Sequence, residues 1–245
     1  MIPKNHPRHE SLRQRHLIEE GVKSGIVTPT GMIAQGRGEA FDYLLGEKTA
    51  PEAILEIEAS ACMLLLAKKP VISVNGNVTV LCAKEIVQLA KILGAKIEAN
   101  VFYAPIEKRK KVIAKEFKKY KMEVLYKSNA TIPNLTSDRR NVSREGIFSA
   151  DVVLIMLEDG DRTEALMKFG KKTIAIDLNP KSRTAQKASV TIVDNVVRAI
   201  PLLVQKCIEF RKKDEKWLKA KLKKFKNKII LNKILQRIRQ GGTVK

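Results

Sequence analysis

The chain has 245 residues, of which 44% are hydrophobic and 30% are charged, and its formal net charge is +21. This length suits one α/β domain with a full core, or such a domain with an appendage, and the hydrophobic content excludes a disordered chain. No apolar run approaches the roughly 20 residues that cross a bilayer, and no signal-peptide core follows Met1, so we expect a cytoplasmic protein without membrane spans. Cys62, Cys82 and Cys207 lie far apart, which argues against a disulfide framework or a zinc site.

Residues 1–69 predict a helical N-terminal layer packed on the core. Leu12, His16, Ile18 and Val22 or nearby positions give an inward face to a helix over 8–25. A second helix follows a turn at 28–31, and a third runs over 50–69. Pro51 falls in the first turn of that third helix, where proline is tolerated.

Residues 70–205 alternate between apolar strands and helices, which predicts the core of the protein. The predicted strands are 70–74, 96–103, 123–126, 152–157, 173–176 and 190–193. Strands separated by helices, such as those at 81–93 and 107–120, indicate βαβ crossovers and a parallel sheet. The expected fold class is therefore α/β, with a Rossmann-like, doubly wound, mainly parallel sheet of about six strands. The GxGxxG spacing and the Walker A sequence are both absent, which disfavours a nicotinamide cofactor and a P-loop kinase.

Residues 206–245 form a basic extension with two possible interpretations. Between Lys206 and Arg239 there are 14 Lys and Arg against three acids, and apolar residues recur every three or four positions. This pattern fits an amphipathic helix pair docked by its apolar stripe, with solvated lysines. It also fits a nucleic-acid-binding arm. We favour the docked pair, because aromatic residues are scarce and no nucleic-acid-binding motif occurs.

Two strand ends carry polar residues suited to a phosphorylated ligand, since ligands of open α/β sheets bind outside the carboxyl ends of the strands. The strand over 152–157 ends in Glu158-Asp159-Gly160-Asp161-Arg162-Thr163, where Asp159 or Asp161 could hold Mg²⁺ and Arg162 could steady a phosphate. The alternative is a plain helix start capped by Asp161. The next strand ends in Asp177-Leu178-Asn179-Pro180-Lys181-Ser182-Arg183-Thr184. Ser182 can cap a helix whose first amides, with Arg183 and Thr184, form an anion site, or this segment simply turns the chain.

Three further sequences are weaker candidates. Gly36-Arg37-Gly38 would give backbone access around one phosphate-binding arginine. Asn75 and Asn77 flank Gly76 after a buried strand, where paired amides suit a polar ligand, although a turn with positive φ explains them equally well. Asp194-Asn195 is most simply a helix cap.

Taken together, five stretches in this order resemble the archaeal phosphopantothenate synthetase family, also called 4-phosphopantoate–β-alanine ligase. They are IPKNHPRHESLRQRHLIEEGVKSGI, GMIAQGRGEAFDYLLGEKT, PVISVNGNVTVL, ADVVLIMLEDGDRTEAL and TIAIDLNPKSRTAQKASVTIVDNVVRAIP. They span most of residues 2–201. We expect the basic tail to lie outside the resemblance, and 108–143 matches only in general character.

The resemblance implies an ATP-dependent ligase of coenzyme A biosynthesis, which joins 4-phosphopantoate and β-alanine through an acyl adenylate and releases AMP and diphosphate. It also implies a homodimer and an ATP site at Arg15, Arg37, Asp177, Leu178, Asn179, Arg183, Thr184, Asn195 and Val196. From the motifs themselves we assign the acyl and Mg²⁺ side to Asn75, Asn77, Asp159, Asp161 and Arg162. Two alternatives stay open: a basic Rossmann-like nucleic-acid-binding protein, and another carboxylate–amine ligase on the same scaffold.

Overall fold

The central sheet has the strand order of a Rossmann fold. A computed structural model describes residues 3–102 and 105–241. Its six-stranded sheet is ordered β3-β2-β1-β6-β7-β8, and all neighbours are parallel. These strands are β1 (Pro70–Val74), β2 (Lys96–Ala99), β3 (Val124–Leu125), β6 (Val152–Met156), β7 (Lys172–Ile176) and β8 (Val190–Ile192). The doubly wound, mainly parallel sheet is therefore confirmed, and its direction of winding reverses between β1 and β6.

Helices cover both faces of this sheet. They are α1 (His9–Lys23), α2 (Pro29–Leu44), α3 (Pro51–Leu65), α4 (Gly76–Leu93), α5 (Ile106–Lys118), α6 (Gly160–Lys168), α7 (Arg183–Lys187), α8 (Val196–Phe210), α9 (Glu215–Lys224) and α10 (Asn227–Arg239). The larger core joins one face of the sheet to helices that include α3, α4, α5 and α8, with Ile57, Ile72, Ile86 and Leu203 all fully buried. The smaller core lies on the opposite face and includes Val153, Ile155 and Leu166. Burial on both faces explains why the strands are almost continuously apolar.

Two boundaries and one pair of strands differ from the sequence prediction. Helix α4 begins at Gly76 rather than near residue 81, because the Asn75 side chain caps it by accepting the Val78 N–H (3.2 Å). The helix is kinked at Cys82, whose φ of −151° is not helical. Strand β2 ends at Ala99, whereas we predicted a strand to residue 103, which lies outside the described residues. The sequence also gave no sign of the antiparallel pair β4 (Ala130–Thr131) and β5 (Asn141–Val142).

The basic extension docks on the domain, as its amphipathic pattern predicts. Leu218 of α9 belongs to the larger core, and Leu231 and Ile234 of α10 are buried. Arg237 donates to the carboxylate of Glu52 on α3 (2.8 Å). Within residues 3–102 and 105–241, no helix is both long and apolar enough to cross a membrane.

Candidate active site

A crevice of about 580 Å³ opens at the carboxyl edge of the sheet, where the winding reverses between β1 and β6. Helix α2 forms one wall, and the segments that follow β1, β2, β6 and β7 form the others. Nine of the residues singled out from the sequence line it: Arg37, Asn75, Asn77, Asp159, Asp177, Leu178, Asn179, Arg183 and Thr184. The polar strand ends therefore meet where ligands of open α/β sheets bind.

Arg37 reaches the crevice from the middle of a helix. Residues 36–38 lie inside α2, which Thr28 caps by accepting the Gly31 N–H (3.0 Å). The expectation that Gly36 and Gly38 offer backbone amides was wrong, because helical amides are used within the helix. The Gly36-Arg37-Gly38 sequence therefore supplies the Arg37 guanidinium to the crevice, and its positive charge opposes the rise in the pKa of Asp177 that burial causes.

Asn75 and Asn77 join the elements that meet at the crevice. The Asn75 amide donates to the Met156 carbonyl at the end of β6 (2.9 Å), and the Asn77 amide donates to the Gly31 carbonyl of α2 (2.8 Å). A Cβ on Gly76 would lie 2.1 Å from the Ile26 carbonyl oxygen, so close backbone packing requires glycine here. The alternative of a turn with positive φ was wrong, since Gly76 begins a helix.

A buried ion cluster lies under the end of β6. The carboxylate of Glu158 pairs with both Arg139 and Arg162, and the three side chains are 3%, 8% and 1% exposed. Arg162 also donates to the Ser73 hydroxyl (3.1 Å), and burial lowers the pKa of its guanidinium to about 10. Arg162 therefore remains charged at neutral pH and needs Glu158 as its counter-ion.

The two aspartates proposed as magnesium ligands are more accessible. The Asp159 side chain is 56% exposed and lies 3.5 Å from Arg139, while Asp161 pairs with Arg183 at the protein surface. Asp159, and not Asp161, is the N-cap residue of α6, and no described N–H of the helix start donates to its side chain. In the described part of the chain, no three His, Cys, Asp or Glu side chains group as metal ligands.

The end of β7 is a tightly hydrogen-bonded turn. The Asp177 carboxylate accepts the Asn179 N–H (2.9 Å) and the Ser182 hydroxyl, and Ser182 in turn caps α7 by accepting the Ala185 N–H (2.9 Å). Burial raises the pKa of Asp177, and these hydrogen bonds with Arg37 oppose that rise. Thr184 donates to the Glu158 carbonyl (2.8 Å), which ties the two strand ends together. The predicted Ser182 cap is confirmed.

The other five predicted site residues do not line this crevice. Arg15 pairs with Glu39 (2.8 Å) on the outer side of α1 and α2. Asn195 and Val196 are buried at the start of α8, where Asn195 is the N-cap, as the cap interpretation of Asp194-Asn195 predicts. Asp161 lines a neighbouring pocket of about 340 Å³ together with Asp159 and Arg162.

The sequence interpretation missed several residues that line these cavities. They are Thr28, Thr30, Phe102, Arg109, Arg139 and, as a buried counter-ion, Glu158. Arg139 is the most notable of them, because its guanidinium pairs with the Glu158 carboxylate and lies over the Phe102 ring (5.6 Å). Its one sequence signal is the basic pair Arg139-Arg140 in a segment otherwise without a motif.

The fold and this crevice define a Rossmann-like α/β protein with an arginine-rich and acid-rich cleft at its switch point. Over residues 52–241 the chain matches the model of a family described as phosphopantothenate/pantothenate synthetase. It is 48% identical over 245 residues to the 4-phosphopantoate–β-alanine ligase of Thermococcus onnurineus, covering 99% of this chain and 94% of that one. The ligases of the same name from Thermococcus kodakarensis (47% over 245 residues; 99% and 94% covered) and Methanosarcina mazei (44% over 239; 98% and 94%) are similar. The chain belongs to the phosphopantothenate synthetase family.

The basic extension is part of that family likeness. We expected the tail to fall outside the resemblance, because the recognisable motifs stop near residue 201. The family match runs to residue 241, so that expectation was wrong. The tail packs into the fold mainly through its apolar residues, and Lys221 adds an ion pair with Glu58 of α3 (2.7 Å).

Proposed function

We propose that this protein is an ATP-dependent ligase that joins 4-phosphopantoate and β-alanine to give 4′-phosphopantothenate, AMP and diphosphate. The observation that carries the proposal is the convergence of Arg37, Arg183 and Asp177 on one switch-point crevice. Full-length similarity to curated 4-phosphopantoate–β-alanine ligases supports it. ATP and a phosphorylated carboxylate are both anions, so a site that brings them together requires such cations.

The reaction proceeds in two displacements. A carboxylate oxygen of 4-phosphopantoate attacks the α-phosphorus of ATP, and the bond to diphosphate breaks to leave an acyl adenylate. The β-alanine nitrogen then attacks the acyl carbon, and AMP leaves with the electrons of the carbon–oxygen bond. Arg37 and Arg183 would hold phosphate charge, with Asp177 to Asn179 on the nucleoside side. The chain's part is mainly positioning and charge stabilisation.

A magnesium ion fits the donors at the end of β6. Mg²⁺ usually takes one or two carboxylates together with substrate phosphates. Asp159 is half exposed at the crevice, whereas Glu158 is already neutralised by two arginines. Asp159, with Asp161 once it is released from Arg183, would hold the ion, which when bound offsets the charge of the phosphates.

A homodimer formed through the helical N-terminal layer also belongs to this proposal. Helix α2 exposes Met32 (43%), Ile33 (72%) and Leu44 (49%), and side chains of this kind are commonly buried between subunits. Light scattering should give the mass of two chains for the wild type and of one chain for Ile33→Glu. A monomeric wild type would refute the dimer and leave the ligase proposal intact.

The deciding experiment is AMP release by the purified protein. The complete mixture contains ATP, Mg²⁺, 4-phosphopantoate and β-alanine, and each component is omitted in turn. AMP that forms with the complete mixture, together with a slower burst from 4-phosphopantoate without β-alanine, supports the ligase and its acyl adenylate. AMP with a different acid would favour another carboxylate–amine ligase. No AMP under any condition would refute the ligase and favour salt-sensitive nucleic-acid binding by the tail.

A further inference from the structure

Helix α2 carries Arg37 into the crevice, and its apolar attachment to the core is confined to its C-terminal end, where Phe41 packs against the buried cluster of Leu45 and Leu178. Within α2, all of whose residues the structure describes, Asp42 alone is buried. The helix contains Gly31, Gly36 and Gly38, and each glycine weakens a helix relative to alanine. Its position over the site therefore depends on polar contacts at its two ends, together with Phe41 and the buried Leu45 that ends the helix.

The N-terminal end of α2 is fixed beside the crevice. Asn77 donates to the Gly31 carbonyl (2.8 Å), and Thr28 caps the helix. These contacts hold the first turn against the start of α4. They leave the second half of the helix, which includes Arg37, to be held from elsewhere.

Asp42 makes that second attachment. Its carboxylate receives hydrogen bonds from the Arg198 guanidinium (2.5 Å) and the Asn195 amide (2.8 Å), both on or beside the first turn of α8. Arg198 is itself fixed by Asp194 (2.6 Å). Helix α8 is anchored by its fully buried residues Ala199, Ile200 and Leu203, so Asp42 joins a weakly held helix to a firmly held one.

The geometry of a helix links this attachment to the crevice. Arg37 and Asp42 are five residues apart, which is about 7.5 Å along the axis and about 140° around it. Asp42 can therefore face α8 while Arg37 faces the opposite side, toward the crevice that it lines together with Asp177. A tilt of the C-terminal half of α2 away from α8 would carry Arg37 out of reach of a bound phosphate.

We propose that Asp42 is a positioning residue that holds α2 on α8 and so keeps Arg37 directed into the crevice. Its role in catalysis rests on the proposed ligase function, because Arg37 matters there as a phosphate-binding cation. Neither Asp42 nor Asn195, which it contacts, lines the crevice. We therefore expect the effect of Asp42 on ATP to pass through Arg37, which does line it.

The test variant is Asp42→Ala, which the fold should tolerate. Arg198 keeps Asp194 as its counter-ion, and the Asn195 amide keeps Gln14 Oε1 as an acceptor (3.0 Å), so no buried charge loses its last partner. The matched control is Glu52→Gln, which breaks another interhelical ion pair, with Arg237, away from the crevice. Light scattering checks that both variants keep the oligomeric state of the wild type.

A double-mutant cycle on ATP binding separates positioning from a general structural effect. The dissociation constant for ATP with Mg²⁺ is measured by calorimetry in the wild-type chain and in Arg37→Ala, each with and without Asp42→Ala. We expect Asp42→Ala to weaken binding about tenfold where Arg37 is present and less than about twofold where it is absent, while Glu52→Gln changes neither. A tenfold loss in both backgrounds would overturn the proposal.

Hydrogen exchange of the free protein tests the attachment without any ligand. We expect amides of residues 29–44 to exchange at least several-fold faster in Asp42→Ala than in the wild type, and those of α8 to be unchanged. Equal exchange in α2 would overturn the attachment, whatever the ligase assay gives. A wild type that binds no ATP would instead refute the proposed function, while exchange would still report whether Asp42 holds α2.

Discussion

Replacing Glu158 by glutamine should destabilise the protein far more than loss of one surface ion pair. Glu158 lies between Arg139 and Arg162, and all three side chains are at least nine-tenths buried. Glutamine keeps the shape and one oxygen acceptor but removes the negative charge. Arg162 retains the neutral Ser73 hydroxyl and a longer-range attraction to Glu98 and Asp159, neither of which forms an ion pair with it.

The expected loss is about 3–5 kcal/mol of unfolding free energy, the usual cost of leaving a buried charge without its partner. The control is Glu145→Gln, which breaks a pair with Lys96 whose side chains are 71% and 52% exposed. A solvent-exposed pair contributes about 0–1 kcal/mol. The two substitutions remove the same charge, so their difference isolates the effect of burial.

The assay is urea unfolding at pH 7, with the slope of the transition compared between variants to exclude a change in the unfolded state. A second substitution, Arg162→Met, should restore at least about 1 kcal/mol to Glu158→Gln, because it removes the uncompensated cation and fills its space. If Glu158→Gln is as stable as Glu145→Gln, the buried cluster does not need its carboxylate and this reasoning is refuted.

Three other outcomes follow from the site and its surroundings. Arg37→Ala should abolish ligation while leaving the far-ultraviolet circular dichroism and melting temperature unchanged, and full activity would contradict its assignment to phosphate. Burial raises the pKa of Glu56 well above 4.5. The unfolded chain therefore ionises first, and the unfolding free energy of the wild type falls as pH rises from about 4.5 towards the raised value. Relative to the wild type, Glu56→Gln should become more stable as pH rises above about 5, and a constant difference in unfolding free energy would contradict this. Gly76→Ala should lower the free energy of unfolding by about 1–3 kcal/mol or more, because its Cβ would clash with the Ile26 carbonyl. Gly36→Ala, which has no described atom within 4 Å of the Cβ position, should instead raise it by about 0.4–1 kcal/mol.

Much of the sheet could be predicted from the sequence because its strands are buried on both faces. The runs that became β1, β6 and β7 are mostly apolar and are followed by polar residues, so both the strands and their functional ends were recognisable. The position of the crevice could be predicted because parallel strands present their carboxyl ends at one edge of the sheet. Nine predicted residues meet there for that reason.

The parts that could not be predicted depend on contacts between distant residues. The ion pair between Arg139 and Glu158 joins residues 19 positions apart across an irregular segment, and no periodic sequence pattern predicts it. The strands β4 and β5 have two residues each, too few to show a pattern. The early start of α4 was hidden because 78–81 is a β-branched and apolar run, while its cap at Asn75 overrides that preference.

The way in which α10 completes the fold has a consequence for synthesis of the protein. Strand β8 is an edge of the sheet, and Asn227 covers it by accepting the Thr191 N–H (2.8 Å) and donating to the Ala185 carbonyl (3.1 Å). Because a ribosome releases the N-terminal part first, the whole sheet leaves the ribosome before the segment that covers its last strand. An open edge is a template for pairing with other chains. The nascent protein is thus most exposed to aggregation just before its release, and a product cut short ahead of α10 would keep that exposure permanently.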